Sequence, residues 1–111
     1  VAARTTLVDF LETLNYSIVE TTNGASALQI IADRTDPVDL ILSDVVMPKM
    51  GGVALFKNLV RRGNAPPVIL LTGHTMGAEL EGLKEVGLAG WMLKPPSLLD
   101  LAELVASVLQ A

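Results

Sequence analysis

Three polar side chains of different chemistry stand at the ends of three separate apolar runs in this sequence: Asp44, Thr72 and Lys94. A carboxylate can attack a phosphoryl group as a nucleophile and form an acyl phosphate. An ammonium group stabilises charge on the transferring oxygens, and a hydroxyl group can donate a hydrogen bond to them. The small Gly73 beside Thr72 leaves space for an incoming donor. The three residue types therefore predict phosphoryl-transfer chemistry, provided that the fold brings them together.

The spacing of apolar residues changes repeatedly between a helical and an extended period, which predicts alternating helices and strands. The predicted strands are residues 16–21, 38–42, 68–71 and 88–93, and the predicted helices centre on 7–14, 25–32, 53–60, 80–86 and 98–108. Such alternation implies right-handed crossovers and a parallel sheet. Because the carboxyl ends of parallel strands meet at one edge, we expect the carboxylate, hydroxyl and ammonium groups at that edge.

The chain length of 111 residues predicts one domain, residues 1–111, of the α/β class with a doubly wound parallel sheet. An eight-fold barrel would need about twice this length. The first predicted element is a helix, whereas the first strand normally lies inside such a sheet. Without that strand, residues 16–21 would have no neighbour for their backbone groups. We therefore expect a first strand upstream of Val1, outside this sequence.

Composition excludes several classes of protein. The absence of cysteine excludes disulfides, thiolate zinc sites and cysteine nucleophiles. The net charge of −4 and a single basic doublet, Arg61-Arg62, predict no nucleic-acid binding, and we interpret the doublet as a solvated helix end. No apolar run approaches the ~18 residues that cross a bilayer, and no signal peptide opens the chain. These features predict a cytoplasmic domain without membrane contact.

The remaining residues that could do chemistry have structural interpretations. We interpret Gly51-Gly52 as a backbone turn, because no nucleotide-binding glycine motif occurs in the chain. The methionines are interpreted as gap-fillers. His74, the single histidine, is interpreted as a solvent-facing bystander rather than a phosphoryl carrier. Asp44 alone is a thin magnesium site, so further ligands are expected at the end of the first strand, before Val1.

Three segments in the order expected along the strands carry a resemblance to a known family. The strongest is Asp44-Val45-Val46-Met47-Pro48 followed by Met50-Gly51-Gly52, and the others are Leu71-Thr72-Gly73-His74 and Leu93-Lys94-Pro95. Together they resemble the receiver domain of bacterial response regulators, the phospho-accepting module of two-component signalling. The resemblance covers essentially the whole chain and implies a flavodoxin-like fold with strand order 2-1-3-4-5. Details of the three segments are similar to receivers fused to hybrid sensor histidine kinases, which we favour over a stand-alone regulator.

The resemblance also implies roles for individual residues. Asp44 would be the phospho-acceptor, Thr72 the switch hydroxyl and Lys94 the phosphate-sensing cation. The backbone carbonyl of Val46 would be a metal ligand, and Trp91 occupies the switch-aromatic position, where the family usually has Tyr or Phe. The family's acidic pair, which holds Mg²⁺ together with the acceptor, has no counterpart in this sequence. We expect that pair upstream and only weak metal binding by these residues alone.

The expected function is phosphoryl acceptance in a phosphorelay. A sensor histidine kinase or phosphotransfer domain would donate the group from phosphohistidine to Asp44 in an autocatalytic transfer, and a downstream effector domain or protein would read the altered conformation. Two alternatives stay open. One is a pseudo-receiver that acts as an interaction module without phosphoryl chemistry. The other, a flavodoxin-like cofactor binder, is disfavoured because the strand-end loops lack a phosphate cradle.

Overall fold

Three short parallel strands form the central sheet, and helices cover both of its faces. The computed structural model describes residues 2–19, 24–33, 38–46, 50–63, 66–73, 77–94 and 96–110. Within these ranges the elements are α1 (Ala2–Thr13), α2 (Gly24–Asp33), β1 (Ile41–Asp44), α3 (Gly52–Arg62), β2 (Val68–Thr72), α4 (Gly77–Lys84), β3 (Gly90–Leu93) and α5 (Leu98–Gln110). The alternation of helices and parallel strands confirms the predicted α/β class.

The strands lie in the order β1-β2-β3, and both pairings are parallel. Ile41 of β1 pairs with Val68, and Ile69 of β2 pairs with Gly90. Every residue of the central strand β2 is buried. The continuous apolar run over residues 68–71 is what a strand covered on both faces requires, since neither face of the strand meets solvent.

Alternate residues of β2 enter two separate cores, which shows how the sheet is covered. Leu70 belongs to a cluster with buried residues of α2, α3 and α4, including Leu28, Phe56 and Leu80. Ile69 belongs to a second cluster with Leu101 and other residues of α5, against which Leu7 and Tyr16 also pack. Successive side chains of a strand point to opposite faces, so the two clusters lie on opposite sides of the sheet. This is the doubly wound arrangement that the sequence predicts.

The helical apolar patterns stop at Asn15 and at Gly63-Asn64, which predicts helix ends there, and Asn15 and Gly63 both have positive φ. Gly63 follows α3 with φ 87°, and its N–H donates to the carbonyl of Val60 at 3.1 Å. Glycine adopts this left-handed conformation without steric cost, which is why it terminates helices. Asn15, predicted to close the first helix, has φ 71°. Arg61 and Arg62 are exposed in the last turn of α3, as a solvated helix end requires.

The strand boundaries require corrections. The segment predicted as 38–42 forms its ladder over Ile41–Asp44, and the segment predicted as 88–93 begins its ladder at Gly90. Register with β2 sets both limits, because the ladder starts where a partner residue is available. Leu88 instead donates its N–H to Leu83, closing the turn after α4.

The strand predicted at residues 16–21 is wrong for residues 16–19, which form no ladder, and residues 20 and 21 lie outside the described ranges. In the predicted strand order, another strand would separate this segment from β1, and none of the described residues occupies that place. Without a partner, extended backbone gains no ladder hydrogen bonds. The expected strand upstream of Val1 concerns residues beyond this sequence and stays a prediction.

Helical faces also differ in detail from the sequence pattern. The apolar spacing predicts that Ala25, Leu28, Ile31 and Ala32 share one face of α2. Leu28 is buried and Ile31 is half-buried, but Ala25 and Ala32 are exposed, and Gly24 and Ala27 are the other buried residues of the helix. Among the described residues, no helix is long and apolar enough to span a bilayer.

Candidate functional site

Asp44 and Lys94 form an ion pair at the carboxyl edge of the sheet. Lys94 Nζ lies 2.9 Å from Asp44 Oδ1, although 50 positions of sequence separate the two residues. β1 ends at Asp44, and Lys94 directly follows the last residue of β3. Their side chains are 41% and 42% exposed, respectively, so both charged groups are open to solvent. The structure thus brings together two of the three residues that the sequence singled out.

Thr72 lies between them at the end of the central strand. Its main-chain carbonyl accepts a hydrogen bond from the Lys94 N–H at 2.8 Å, and the preceding Leu71 pairs with Asp44. The Thr72 residue is only 2% exposed. The backbone positions of all three residues are therefore adjacent on one edge, with the threonine buried and the charged pair open to solvent.

Hydrogen bonds hold the main chain around Asp44 at three points. The Ser43 hydroxyl donates to the Asp44 carbonyl at 2.9 Å. The Val45 N–H donates to the Leu71 carbonyl at 2.8 Å, and the Val45 carbonyl accepts from the Gly52 N–H at 2.9 Å. The peptide that links Asp44 to Val45 is thus bonded at both its oxygen and its nitrogen.

Gly52 has a different role from the turn that the sequence analysis assigned to it. It is the first residue of α3, and a Cβ atom there would lie 2.3 Å from the Asp44 carbonyl oxygen and 2.8 Å from Leu70 Cδ2. The absence of a side chain, rather than an unusual backbone conformation, lets α3 begin against the end of β1. Sequence reasoning missed the contributions of Ser43 and Gly52. The sequence feature that could have indicated a role for Gly52 near Asp44 is its place in Met50-Gly51-Gly52, which belongs to the same segment of resemblance as Asp44.

The loop after β1 carries Val46 and is anchored where it enters α3. Val46 is 75% exposed. The Met50 carbonyl accepts a hydrogen bond from the Gly24 N–H at 3.0 Å, which ties the loop to the start of α2. Residues 47–49, including the predicted Met47 and Pro48 of the acceptor motif, lie outside the described ranges.

Trp91 lies on β3, opposite Leu70, and packs half-buried against the first core cluster. Its position three residues before Lys94 is the one the resemblance implied for a switch aromatic, and that role stays a prediction. Met50 and Met92 pack against the two cores as gap-fillers. His74 lies outside the described ranges.

The resemblance implies that the Asp44 carboxylate and the Val46 main-chain carbonyl hold Mg²⁺, and these ligand roles stay a prediction. Carboxylate and carbonyl oxygens are the kinds of ligand that Mg²⁺ prefers. Mg²⁺ takes octahedral coordination, and the described residues contain no group of three or more acidic, histidine or cysteine side chains that could hold it. The two oxygen donors fit the ion in type but would fill only part of an octahedral set.

Comparison with known families decides the identity of the domain. The family model of the response regulator receiver domain matches residues 1–106. The chain belongs to this family. The match confirms the resemblance to receiver domains of two-component systems that the sequence motifs indicated.

Curated relatives of this receiver domain include sensor kinases and transcriptional regulators. It is 32% identical over 100 residues to the sensor kinase CckA of Brucella abortus, covering 90% of this chain and 11% of that protein. It is 36% identical over 89 residues to the DNA-binding transcriptional regulator NtrC of Escherichia coli, covering 80% of this chain and 18% of that protein. The chain thus spans between about a tenth and a fifth of these relatives, and its origin in a hybrid kinase stays a prediction.

Solved structures confirm the flavodoxin-like receiver fold. The signal receiver domain of a signal transduction histidine kinase from Syntrophus aciditrophicus superposes with a TM-score of 0.84 at 32% identity, covering 98% of this chain and 83% of that one. The receiver domain of a sensor histidine kinase from Pseudomonas aeruginosa superposes with a TM-score of 0.83 at 20% identity, covering 99% and 90%. That second structure has a magnesium ion coordinated in its active-site cleft. At its level of identity the likeness concerns the fold alone.

Proposed function

We propose that this receiver domain accepts a phosphoryl group on Asp44 during two-component signalling. The observation that carries the proposal is the 2.9 Å pair between Asp44 Oδ1 and Lys94 Nζ at a solvent-open sheet edge. A nucleophilic carboxylate and a cation that can stabilise the transferring oxygens are thereby held side by side. The donor is a phosphohistidine of a sensor histidine kinase or a phosphotransfer domain.

The transfer makes one bond and breaks one bond. A carboxylate oxygen of Asp44 attacks the phosphorus atom, and a P–O bond forms as the P–N bond to the donor imidazole breaks. The electron pair of that bond returns to the imidazole nitrogen, which takes up a proton from solvent. Lys94 stabilises the negative charge on the equatorial oxygens, and Thr72 donates a hydrogen bond to the transferred group.

Magnesium is the cofactor that this chemistry calls for. The Asp44 carboxylate and the Val46 carbonyl would hold it, together with carboxylates from residues beyond those described here. When bound, the ion neutralises charge on the transferring phosphoryl group. The chain's own contribution is to present these two oxygens at the same sheet edge as Lys94.

The output is a change in packing that a downstream effector domain or protein reads. The new charge on Asp44 draws the Thr72 hydroxyl toward the phosphoryl group, and half-buried Trp91 on the neighbouring strand repacks. Residues 1–111 act as one receiver domain. We infer a cytoplasmic location, because histidine kinases make the phosphoryl donor from ATP.

Intact-mass measurement tests the proposal. The full-length protein is incubated with acetyl phosphate and Mg²⁺, and we expect a mass gain of one phosphoryl group that is absent from Asp44→Asn. Asp39→Asn is the matched control, because Asp39 is an exposed carboxylate just before β1 and keeps the gain. A wild-type protein that gains no mass would instead be a pseudo-receiver, an interaction module without phosphoryl chemistry.

A further inference from the structure

We propose that Ser43 is a positioning residue, whose buried hydroxyl fixes the main chain that presents the Asp44 carboxylate. The inference rests on the proposed phosphoryl acceptance, because it assigns a role within that same site. Ser43 touches neither the donor nor the transferred group. It acts through the peptide that follows Asp44.

The side chain of Ser43 is a hydroxyl group in a buried place, where it needs a hydrogen-bond partner. The residue is 6% exposed and pairs with Leu70 of the buried central strand. A hydroxyl placed among apolar side chains costs free energy unless it is hydrogen-bonded. An alanine or a valine would fill such a strand position without that cost. The Ser43 hydroxyl meets the requirement by donating to the Asp44 carbonyl at 2.9 Å.

The first residue of α3, Gly52, packs directly against the two atoms of this hydrogen bond. An added Cβ on Gly52 would lie 2.3 Å from the Asp44 carbonyl oxygen and 3.0 Å from Ser43 Oγ. The carbonyl oxygen and the hydroxyl thus fill the space directly in front of the helix. Without the hydroxyl, the Asp44 carbonyl would lose one hydrogen-bond donor. The start of α3 lies so close that the carbonyl has little room to turn toward another donor.

The orientation of this peptide matters for the proposed chemistry. It links the nucleophile Asp44 to Val45, and the next residue is Val46, whose carbonyl is the proposed metal ligand. Its N–H is already held by Leu71, and the next carbonyl is held by Gly52. The Ser43 hydroxyl therefore completes the set of bonds that fixes the acceptor carboxylate relative to the Val46 carbonyl and Lys94. In-line attack depends on such placement, and small displacements of reacting groups cost large factors in rate.

Hydrogen exchange tests whether the Ser43 hydroxyl fixes the main chain around Asp44. The measurement needs neither Mg²⁺ nor a phosphoryl donor. In the full-length protein, mass spectrometry follows amide exchange in peptides that cover residues 43–46. We expect Ser43→Ala to speed exchange there by about tenfold, because the Asp44 carbonyl loses the hydrogen bond from the hydroxyl and the segment loosens. Peptides from α5 should exchange as in the wild type, whereas a general loss of stability would speed exchange in every core element.

Phosphorylation kinetics measure the functional half. The rate with acetyl phosphate at saturating Mg²⁺ is compared for the wild type, Ser43→Ala and Ser43→Thr, at a temperature where melting curves show all three folded. We expect Ser43→Ala to be slower by roughly tenfold to a hundredfold, and Ser43→Thr, which keeps the hydroxyl, to recover most of the loss. Ser17→Ala, at an exposed position outside the sheet, is the control and should match the wild type.

The outcomes separate this inference from the proposed function. If Ser43→Ala exchanges and phosphorylates like the wild type, the positioning role is wrong even though the domain is a phospho-acceptor. If it accelerates exchange throughout the core, Ser43 is merely structural and the proposal fails. If the wild type itself is never phosphorylated, phosphoryl acceptance fails, and the exchange result still decides whether the hydroxyl holds the segment.

Discussion

Two lysine–carboxylate pairs of similar length show why a single contact has to be interpreted through its place in the fold. Lys84 Nζ lies 3.0 Å from Glu81 Oε2 on α4, and Lys94 Nζ lies 2.9 Å from Asp44 Oδ1 across the sheet edge. All four side chains are between 41% and 56% exposed. Exposed pairs of this kind contribute about 0–1 kcal/mol to folding. Stability therefore gives no reason to prefer one lysine to the other, whereas the proposed chemistry does.

Replacement of the two lysines tests this distinction at the residue scale. We expect Lys94→Ala and Lys84→Ala each to change the free energy of unfolding by less than about 1 kcal/mol in urea titrations. Only Lys94→Ala should slow phosphorylation by acetyl phosphate, by a factor on the order of 10², because it removes the cation beside the attacking carboxylate. Equal rates for the two variants would show that Lys94 takes no part in the transfer.

Among the elements, β1 and α3 meet in close contact at Gly52, and two glycines make this junction testable. A Cβ on Gly52 would meet main-chain oxygen at 2.3 Å, whereas a Cβ on Gly82 within α4 would meet nothing within 4 Å. We expect Gly52→Ala to destabilise the domain by about 1–3 kcal/mol through overpacking. Gly82→Ala should stabilise it by about 0.5–1 kcal/mol, because alanine is the better helix former.

Urea unfolding measures the change in the free energy of unfolding for each variant. Both variants replace glycine by alanine, and we expect changes of opposite sign. Gly52→Ala should also slow phosphorylation, since the helix must move away from the Asp44 carbonyl. A Gly52→Ala domain as stable as the wild type would mean that α3 can shift without disturbing β1. The placement of the acceptor would then depend less on this junction than the contacts indicate.

The sequence predicted the type and order of most elements, since burial on both faces leaves a clear apolar pattern in β2. It predicted the boundaries less well. The ladder of β1 includes Asp44, a polar residue, because the neighbouring strand supplies a partner there. A single-strand pattern contains no information about that partner. The segment 16–19 shows the converse: it has an extended, partly apolar sequence but no ladder in the described structure.

The candidate site was predictable where its residues have distinctive chemistry, as Asp44 and Lys94 do. It was not predictable where the role depends on packing. From the sequence, Ser43 is only a residue that forms strands weakly. Its hydrogen bond to a main-chain carbonyl depends on the burial of its side chain, which the sequence does not specify. Gly52 similarly suggests a turn until the closeness of α3 to β1 is known.

Over the whole molecule, stability and chemistry occupy different regions. The two cores lie on opposite faces of the sheet, and the charged pair lies at its solvent-open edge. The proposed repacking of Trp91 involves the first core cluster, whereas the second cluster, around Leu101, contains none of the proposed site residues. Substitutions in the second core are therefore expected to act on the site only by unfolding the domain.

Leu101 and Leu99 of α5 test that expectation, because they share a helix and differ in burial. Leu101 is 0% exposed in the second core, and Leu99 is 74% exposed. We expect Leu101→Ala to cost about 2–5 kcal/mol in urea unfolding, from lost burial and the remaining cavity, and Leu99→Ala to stay within about 0.5 kcal/mol. Domains of this size have a total stability of about 5–15 kcal/mol, so Leu101→Ala alone removes a large part of it. At low temperature, where the variant is still folded, its phosphorylation rate should match the wild type. A slower rate in the folded Leu101→Ala variant would instead mean that α5 packing is coupled directly to the acceptor edge.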